Sequence, residues 1–212
     1  MTGMTEETTQ QTTMSRPDRR SAVLVSLVDT EAAGLCFLME VRSLSVRQPG
    51  EVCFPGGRME PGETPEETAL RETEEELGIP ADRVAVCCRL EEEQLLNKTR
   101  VVPVLGLIDA EALDHIVLSE KEVTEVFLLP VGWVREHEPA YYDLDTLDPL
   151  TAPNKLLHYL ASYGPENRAR GKVWYWEYLG YAVWGMTARI IRKVIGTDLP
   201  ERCAGGAEGG RP

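Results

Sequence analysis

Glu72, Glu75 and Glu76 stand three and four residues apart in a segment of helical composition, a spacing that puts carboxylates on one side of a helix. At 100° per residue the three fall within an arc of about 100°, while Leu70, Thr73 and Leu77 gather beside them at about 100–160°. The apolar stripe should therefore pack inward, with the carboxylates lining its shoulder. Like charges so spaced cost a helix a few tenths of a kcal/mol per pair, and a divalent cation offsets that cost. Hard oxygen ligands suit Mg²⁺ or Mn²⁺, and magnesium commonly takes one or two carboxylates while keeping water and substrate phosphate. A solvated acidic helix face is the competing reading, and the neighbouring residues weigh against it. The turn Phe54-Pro55-Gly56-Gly57 lets a backbone carbonyl come close, Glu63 precedes the helix, and Arg71 can pair with a carboxylate and hold it.

The helix that carries these groups is well bounded: Thr64 as N-cap, Pro65 at the first position, Glu66 and Glu67 in the first turn, Gly78 past the end. Before it, 21–29 and 34–41 read as paired strands, and 48–57 as a turn-rich stretch. After it, 84–90, 100–108 and 122–130 read as strands, 131–137 as a helix, 173–178 as a strand, and about 182 to 195 as a closing helix. Strands first, one helix in the middle and one at the end predict an α/β (α+β) domain in three layers. That domain is expected over 19–198, with 1–18 and 199–212 as flexible tails.

The 35 acidic against 22 basic residues, net −13, argue against a nucleic-acid or anionic-membrane binder, since phosphate neutralisation needs a basic surface. The charge is uneven: residues 58–79 hold eight glutamates and two arginines, a net −6. Five cysteines lack ligand spacing and read as reduced, partly buried thiols; His115, His137 and His158 show no ligand spacing either. Trp174, Trp176 and Tyr178 alternate as strand residues would, one face packing a core and the other available to stack a base, with core packing the preferred reading. No run of 18 apolar residues exists and the first twenty residues hold no apolar stretch, so no membrane span or secretory signal is expected and the cytoplasm is the default.

The order Gly57-(five)-Glu63-(seven)-Arg71-Glu72-Thr73-Glu74-Glu75-Glu76-Leu77-Gly78-Ile79 resembles the Nudix box, Gly-x5-Glu-x7-Arg-Glu-U-x-Glu-Glu-x-Gly-U with U aliphatic. Thr73 departs from it, and its hydroxyl must be satisfied if buried. The resemblance implies a Nudix α/β/α sandwich with a mixed central sheet that hydrolyses a nucleoside diphosphate linked to another group, using Mg²⁺ or Mn²⁺. It implies Glu72 and Glu76 as principal metal ligands, Glu75 as a further ligand or the group orienting water, and the Gly56 carbonyl as another ligand. Glu63 would bind metal through water, and Arg71 would orient the glutamates. A carboxylate outside the box often serves as base in this family; Glu125 and Glu122 are the candidates, each also readable as a charged strand edge.

Upstream, residues 38–57 resemble the signature of coenzyme A diphosphatases, with Arg42, Ser43, Gly50 and Phe54 in place. Glu40 stands where that signature has Thr, and one residue fewer separates Arg47 from Gly50. Further segments from about residue 20 to 195 look like the same subfamily. The resemblance implies Arg42, Ser43 and Arg47 as substrate-binding residues, Arg being suited to the 3′-phosphate and diphosphate of coenzyme A. The expected partner is a small nucleoside diphosphate derivative of the coenzyme A type, with neither nucleic acid nor membrane, and the reading is compatible with a homodimer. A diphosphatase for ADP-ribose or another nucleotide-linked substrate, and a catalytically quiet nucleotide sensor, are the alternatives.

Overall fold

The computed structural model describes residues 20–94, 99–162 and 170–197; both expected tails lie outside the described residues. β1 (Arg20–Thr30) is buried along most of its length, and its side chains divide between the two sheet faces. Ala22, Leu24 and Val28 join one apolar cluster, and Val23, Val25 and Leu27 join the other. That division is the period-2 signature of a strand covered on both sides.

β2 (Gly34–Arg42) runs antiparallel to β1, and β3 (Val52–Cys53), β4 (Gly56–Arg58), β5 (Val84–Arg89), β6 (Glu93–Gln94), β7 (Arg100–Ile108) and β8 (Val123–Pro130) complete the central sheet. Its order is β3-β2-β1-β7-β5, with β4 on β1, β6 on β7 and β8 on β2. The β1–β7 pair is parallel and the other pairs are antiparallel, so the sheet is mixed as expected. Along one edge β1 meets β2 from Leu27 to Thr30 but β4 from Ser21 to Val23. The Phe54-Pro55 turn bridges this change of partner, Leu24 donating its N–H to the Pro55 carbonyl at 2.8 Å. The 48–57 stretch thus holds two short strands as well as turns, and it delivers Gly56 and Gly57 onto β1.

On one face, α1 (Pro65–Leu77) lays Ala69 and Leu77 over Ala22, Leu24, Leu38 and Val104. On the other, α2 (Val131–Glu136) and α4 (Gly185–Ile195) bury Val131, Val134, Ile190, Ile191 and Val194 against Val25, Phe37, Met39 and Leu105. The result is the expected α/β/α sandwich.

The strand expected at 173–178 is present, but the sheet around it and the helix packed on that sheet were not anticipated. A second antiparallel sheet, ordered β11-β10-β9, is formed by β9 (Ala140–Asp143), β10 (Lys172–Tyr178) and β11 (Tyr181–Trp184), with α3 (Asn154–Ser162) packed on it through Leu156 and Tyr159. Residues 182–184, expected in the last helix, belong to β11. Leu179 and Gly180, at φ 48° and 86°, turn the chain back in a two-residue hairpin, so the next residues pair with β10 before α4 begins. Trp184 is core, stacked on Tyr159, and Trp176 is buried with its indole N–H on the His137 carbonyl at 2.7 Å. Cys36, Cys53 and Cys88 are free thiols, as expected. Among the described residues no helix is long and apolar enough to cross a membrane.

Candidate metal centre

α1 begins and ends where its sequence says it should. Thr64 accepts the Glu67 N–H while Glu67 returns a bond to the Thr64 N–H at 2.7 Å, a complete capping box. Gly78 closes the helix in the left-handed region at φ 68° and donates to the Glu74 carbonyl. Thr73 is buried, and its hydroxyl is satisfied by the Ala69 carbonyl one turn back at 2.7 Å. The departure from the aliphatic pattern is thereby accommodated within the helix.

The carboxylate arc is graded by burial. Glu76 faces the sheet and is 4% exposed, Glu72 is half-buried, and the Glu75 side chain is 58% exposed. The reason is rotational: Glu75 lies about 100° behind Glu76, so turning Glu76 inward turns Glu75 out. Glu76 Oε2 accepts the Gly56 N–H at 2.8 Å. Gly57 lies so near Glu72 that a Cβ there would collide with its carboxylate, which accounts for the glycine.

Arg71 ties the box together. Its Nε donates to Glu63 Oε1 at 2.7 Å, and one terminal nitrogen reaches Glu72 Oε1 at 2.9 Å and Glu75 Oε2 at 3.1 Å. Glu63 spends its oxygens on Arg71, the Thr68 hydroxyl and the Glu60 N–H, a set that drives its carboxyl down to about 2. The structure therefore makes Glu63 the anchor of Arg71.

The carboxylate from outside the box is Glu122. The segment after α1 docks on the helix end, with the Val117 and Ser119 N–H groups donating to the Leu77 and Glu76 carbonyls at 3.0 and 2.9 Å. That docking brings one oxygen each of Glu72, Glu76 and Glu122 within 4.8 Å of one another. Glu125 is not part of this group. It pairs with Val41, on the sheet face opposite α1, and accepts the Tyr181 hydroxyl at 3.2 Å. A bulge between Val41 and Arg42 separates its register from that of Val123, so nearness in sequence to Glu122 does not bring it to the cluster.

Three carboxylates converge here, and of the three only Glu72 has an ion pair with an arginine, so the group is poorly compensated. Burial first, then repulsion from Glu40 and other carboxylates, pushes Glu76 up to about 9; burial likewise raises Glu72. Such a donor set fits a hard divalent cation, held by Glu72, Glu76 and Glu122.

Of the substrate-side residues, Ser43 is buried, and its N–H donates to the Glu122 carbonyl at 2.8 Å, coupling the loop to the cluster. Arg42 turns back into its own loop, donating to the Arg47 carbonyl at 2.9 Å and reaching Cys53 Sγ at 3.9 Å. Arg47 is exposed and lines a cavity of about 310 Å³ with Arg20, Ser21, Arg58 and Thr99. Arg20 and Arg58 also line a larger open cleft of about 840 Å³ that runs to Glu63, Arg71 and Glu72. Sequence reasoning missed Arg20, Arg58 and a buried Glu40. Their only sequence signals were the mismatch at position 40 and arginines that look like ordinary surface residues.

Residues 18–161 match the NUDIX domain family. Nudix hydrolase 3 of Caenorhabditis elegans is 42% identical over 125 residues, 56% of this chain and 51% of the relative, so the chain spans about half of that protein's length. An uncharacterized Nudix hydrolase NudL of Escherichia fergusonii is 35% identical over 178 residues, 83% of this chain and 81% of its own. Among solved structures, a Caenorhabditis elegans Ap4A hydrolase binary complex is similar at 24% identity and TM-score 0.45, covering 53% of this chain and 80% of that one. With the box glutamates gathered at the end of α1 on a mixed-sheet sandwich, the chain belongs to the Nudix hydrolase family.

Proposed function

We propose that this protein is a diphosphatase acting on coenzyme A or its acyl derivatives, releasing 3′,5′-ADP and (acyl-)4′-phosphopantetheine, with Mg²⁺ or Mn²⁺ held by Glu72, Glu76 and Glu122. The observation that carries the hydrolase reading is the convergence of those three carboxylates within 4.8 Å beside an arginine-lined cleft. A bound divalent cation there would neutralise charge on the bridging diphosphate and render a water nucleophilic. Arg71 holds Glu72 and Glu75 in place, and Glu75, exposed at the cluster's rim, is the carboxylate left to take the proton of the attacking water.

Preference for coenzyme A is supported by the cavity of about 310 Å³ lined by Arg47, Arg20 and Arg58, which adjoins the cleft through shared residues. Guanidinium forks suit a 3′-phosphate held apart from the diphosphate. Arg42 serves this reading by closing the loop that presents Arg47. The shortened spacing to Gly50 favours a second reading, an ADP-ribose-type substrate, should the loop fail to hold that phosphate.

Turnover of coenzyme A, dephospho-coenzyme A, ADP-ribose and NADH with Mn²⁺ or Mg²⁺ separates these readings. Coenzyme A is expected to be cleaved with kcat/KM at least about 10-fold above dephospho-coenzyme A, the scale of one lost charge-assisted contact, and Arg47→Ala should narrow that gap. Equal rates on the two would discard the arginine cavity as a phosphate site, and no turnover of any substrate would sink the diphosphatase reading.

A further inference from the structure

Residues 43–50, the loop that carries Arg47 to its cavity, are shaped little by packing: Leu44, Ser45, Arg47 and Gln48 are exposed, Leu44 at 84%. A segment with few buried side chains takes its shape from hydrogen bonds. The neck of the loop is fastened to the end of β2, where Arg42 donates its N–H to the Glu51 carbonyl at 3.0 Å and accepts the Gly50 N–H at 2.9 Å. Gln48 and Gly50 both take left-handed backbone, at φ 60° and 73°. For glutamine that conformation is unfavourable and persists only where surrounding contacts hold the chain to it.

One such contact comes from far along the chain. Tyr159, on α3, donates its hydroxyl to the Gly50 carbonyl at 2.8 Å, across 109 positions. The tyrosine is buried, and its ring stacks on Trp184 of β11 with 3° between the planes and 5.9 Å between centroids. A ring packed in this way holds its hydroxyl at a fixed point. Thr187, in the first turn of α4, holds the far end of the same stretch, its buried hydroxyl donating to the Val52 carbonyl at 3.2 Å. Among the described residues, none of the second sheet or of α3 belongs to the carboxylate trio or lines either cavity. Tyr159 is where α3 reaches the substrate side.

We propose that Tyr159 is a positioning residue for substrate selection: its hydroxyl, steadied by the second sheet, fixes Gly50 and with it the loop that sets Arg47 at the phosphate cavity. Arg47 stands three residues before Gly50, and its carbonyl is tied to Arg42 Nε at 2.9 Å, so Arg42, Gly50 and Tyr159 act as one brace. Without the phenol hydroxyl the Gly50 carbonyl is left to water, and Arg47 samples more positions. The other end of the loop keeps its bond from the Ser43 N–H to the Glu122 carbonyl, so the carboxylate cluster is undisturbed. The proposal rests on the reading of the arginine cavity as the site of the 3′-phosphate of coenzyme A.

Tyr159→Phe removes the hydroxyl and keeps the stack. Steady-state kinetics on coenzyme A and dephospho-coenzyme A, hydrogen exchange and thermal melts of the full chain test the brace. For coenzyme A, KM is expected to rise about 3-fold or more, the scale of one neutral hydrogen bond, with kcat within about 2-fold of wild type. Dephospho-coenzyme A should be cleaved as by wild type, and exchange should quicken in 43–51 but not in α1. In an Arg47→Ala background, Tyr159→Phe should change the ratio of kcat/KM between the two substrates no further. An unchanged ratio, or an equal loss on both substrates, would overturn the brace and leave Arg47 as the phosphate contact. A collapse in Tm would make the hydroxyl a determinant of the fold and overturn the selective role as well. A wild-type chain that turns over neither substrate, or does not distinguish them, would overturn the phosphate site and the brace together.

Discussion

α1 and α4 cover opposite faces of one sheet, and they treat charge in opposite ways. On the α4 side, Glu93 is nearly buried but meets Arg189 at 3.1 Å and Lys193 at 2.8 Å, while Lys193 also reaches Glu91 at 2.7 Å. Arg192 lies 3.6 Å over the Trp174 ring. Each charge there has a partner within the protein. On the α1 side, Glu72, Glu76, Glu122 and Glu40 approach one another with few countercharges, and Glu76 is met by a neutral amide. The α4 face joins two parts of the chain, so its charges are compensated on folding. On the function proposed above, the α1 face would leave compensation to a cation and a substrate, an arrangement that lowers the stability of the metal-free chain.

The largest test of that contrast is Glu76→Gln. Steady-state kinetics should show kcat/KM falling by more than about 100-fold, beyond the roughly 10–100-fold cost of losing a group that only orients a ligand. The same variant should be more stable than wild type in chelator. Because the folded-state value of Glu76 is raised to about 9, the folded chain retains a proton that the unfolded chain releases. Its contribution therefore makes metal-free stability fall as pH rises from the ordinary carboxylate value toward about 9, and Gln removes that fall. Urea melts in chelator across this window check it, and an unchanged pH slope would refute the buried-charge account.

An intermediate effect separates Glu122 from Glu125. Glu122→Gln should weaken Mn²⁺ binding by about 10-fold or more, and Glu125→Gln, on the other sheet face, by less than about 2-fold. Calorimetric titration decides, and the reverse order would return the role to Glu125. The smallest effect is expected on the compensated face. Arg189→Met should cost about 1 kcal/mol or less, since Arg189 is partly exposed and Glu93 keeps Lys193, and the loss should shrink in high salt. A large drop in kcat with this variant would show that the two faces are not functionally separate.

Some of this was legible in local sequence. α1 was, from cap to cap, because Thr64, Glu67 and Gly78 act on the backbone within a turn of themselves. The strands at 100–108 and 84–90 were, because β-branched runs bounded by polar residues carry their own signal. β9 and α3 were not, and 182–184 went to the wrong element, because those residues are placed by pairing with β10 and packing against Trp184 and Tyr159.

The order of residues alone determined the box: which glutamates share a helix side, which arginine holds them, and that the chemistry suits a divalent cation. Those relations span one or two helical turns and follow from helical geometry. Tertiary structure decided which carboxylate joins from outside, because docking of 117–122 on the end of α1 and the bulge at Val41 set what faces the cluster. It also decided that Glu63 serves Arg71, that Arg42 closes its loop, and that Arg20, Arg47 and Arg58 share a cavity. Contacts between separate segments of the chain depend on strand register and loop docking, and a one-residue change in register reverses the face on which a side chain is found.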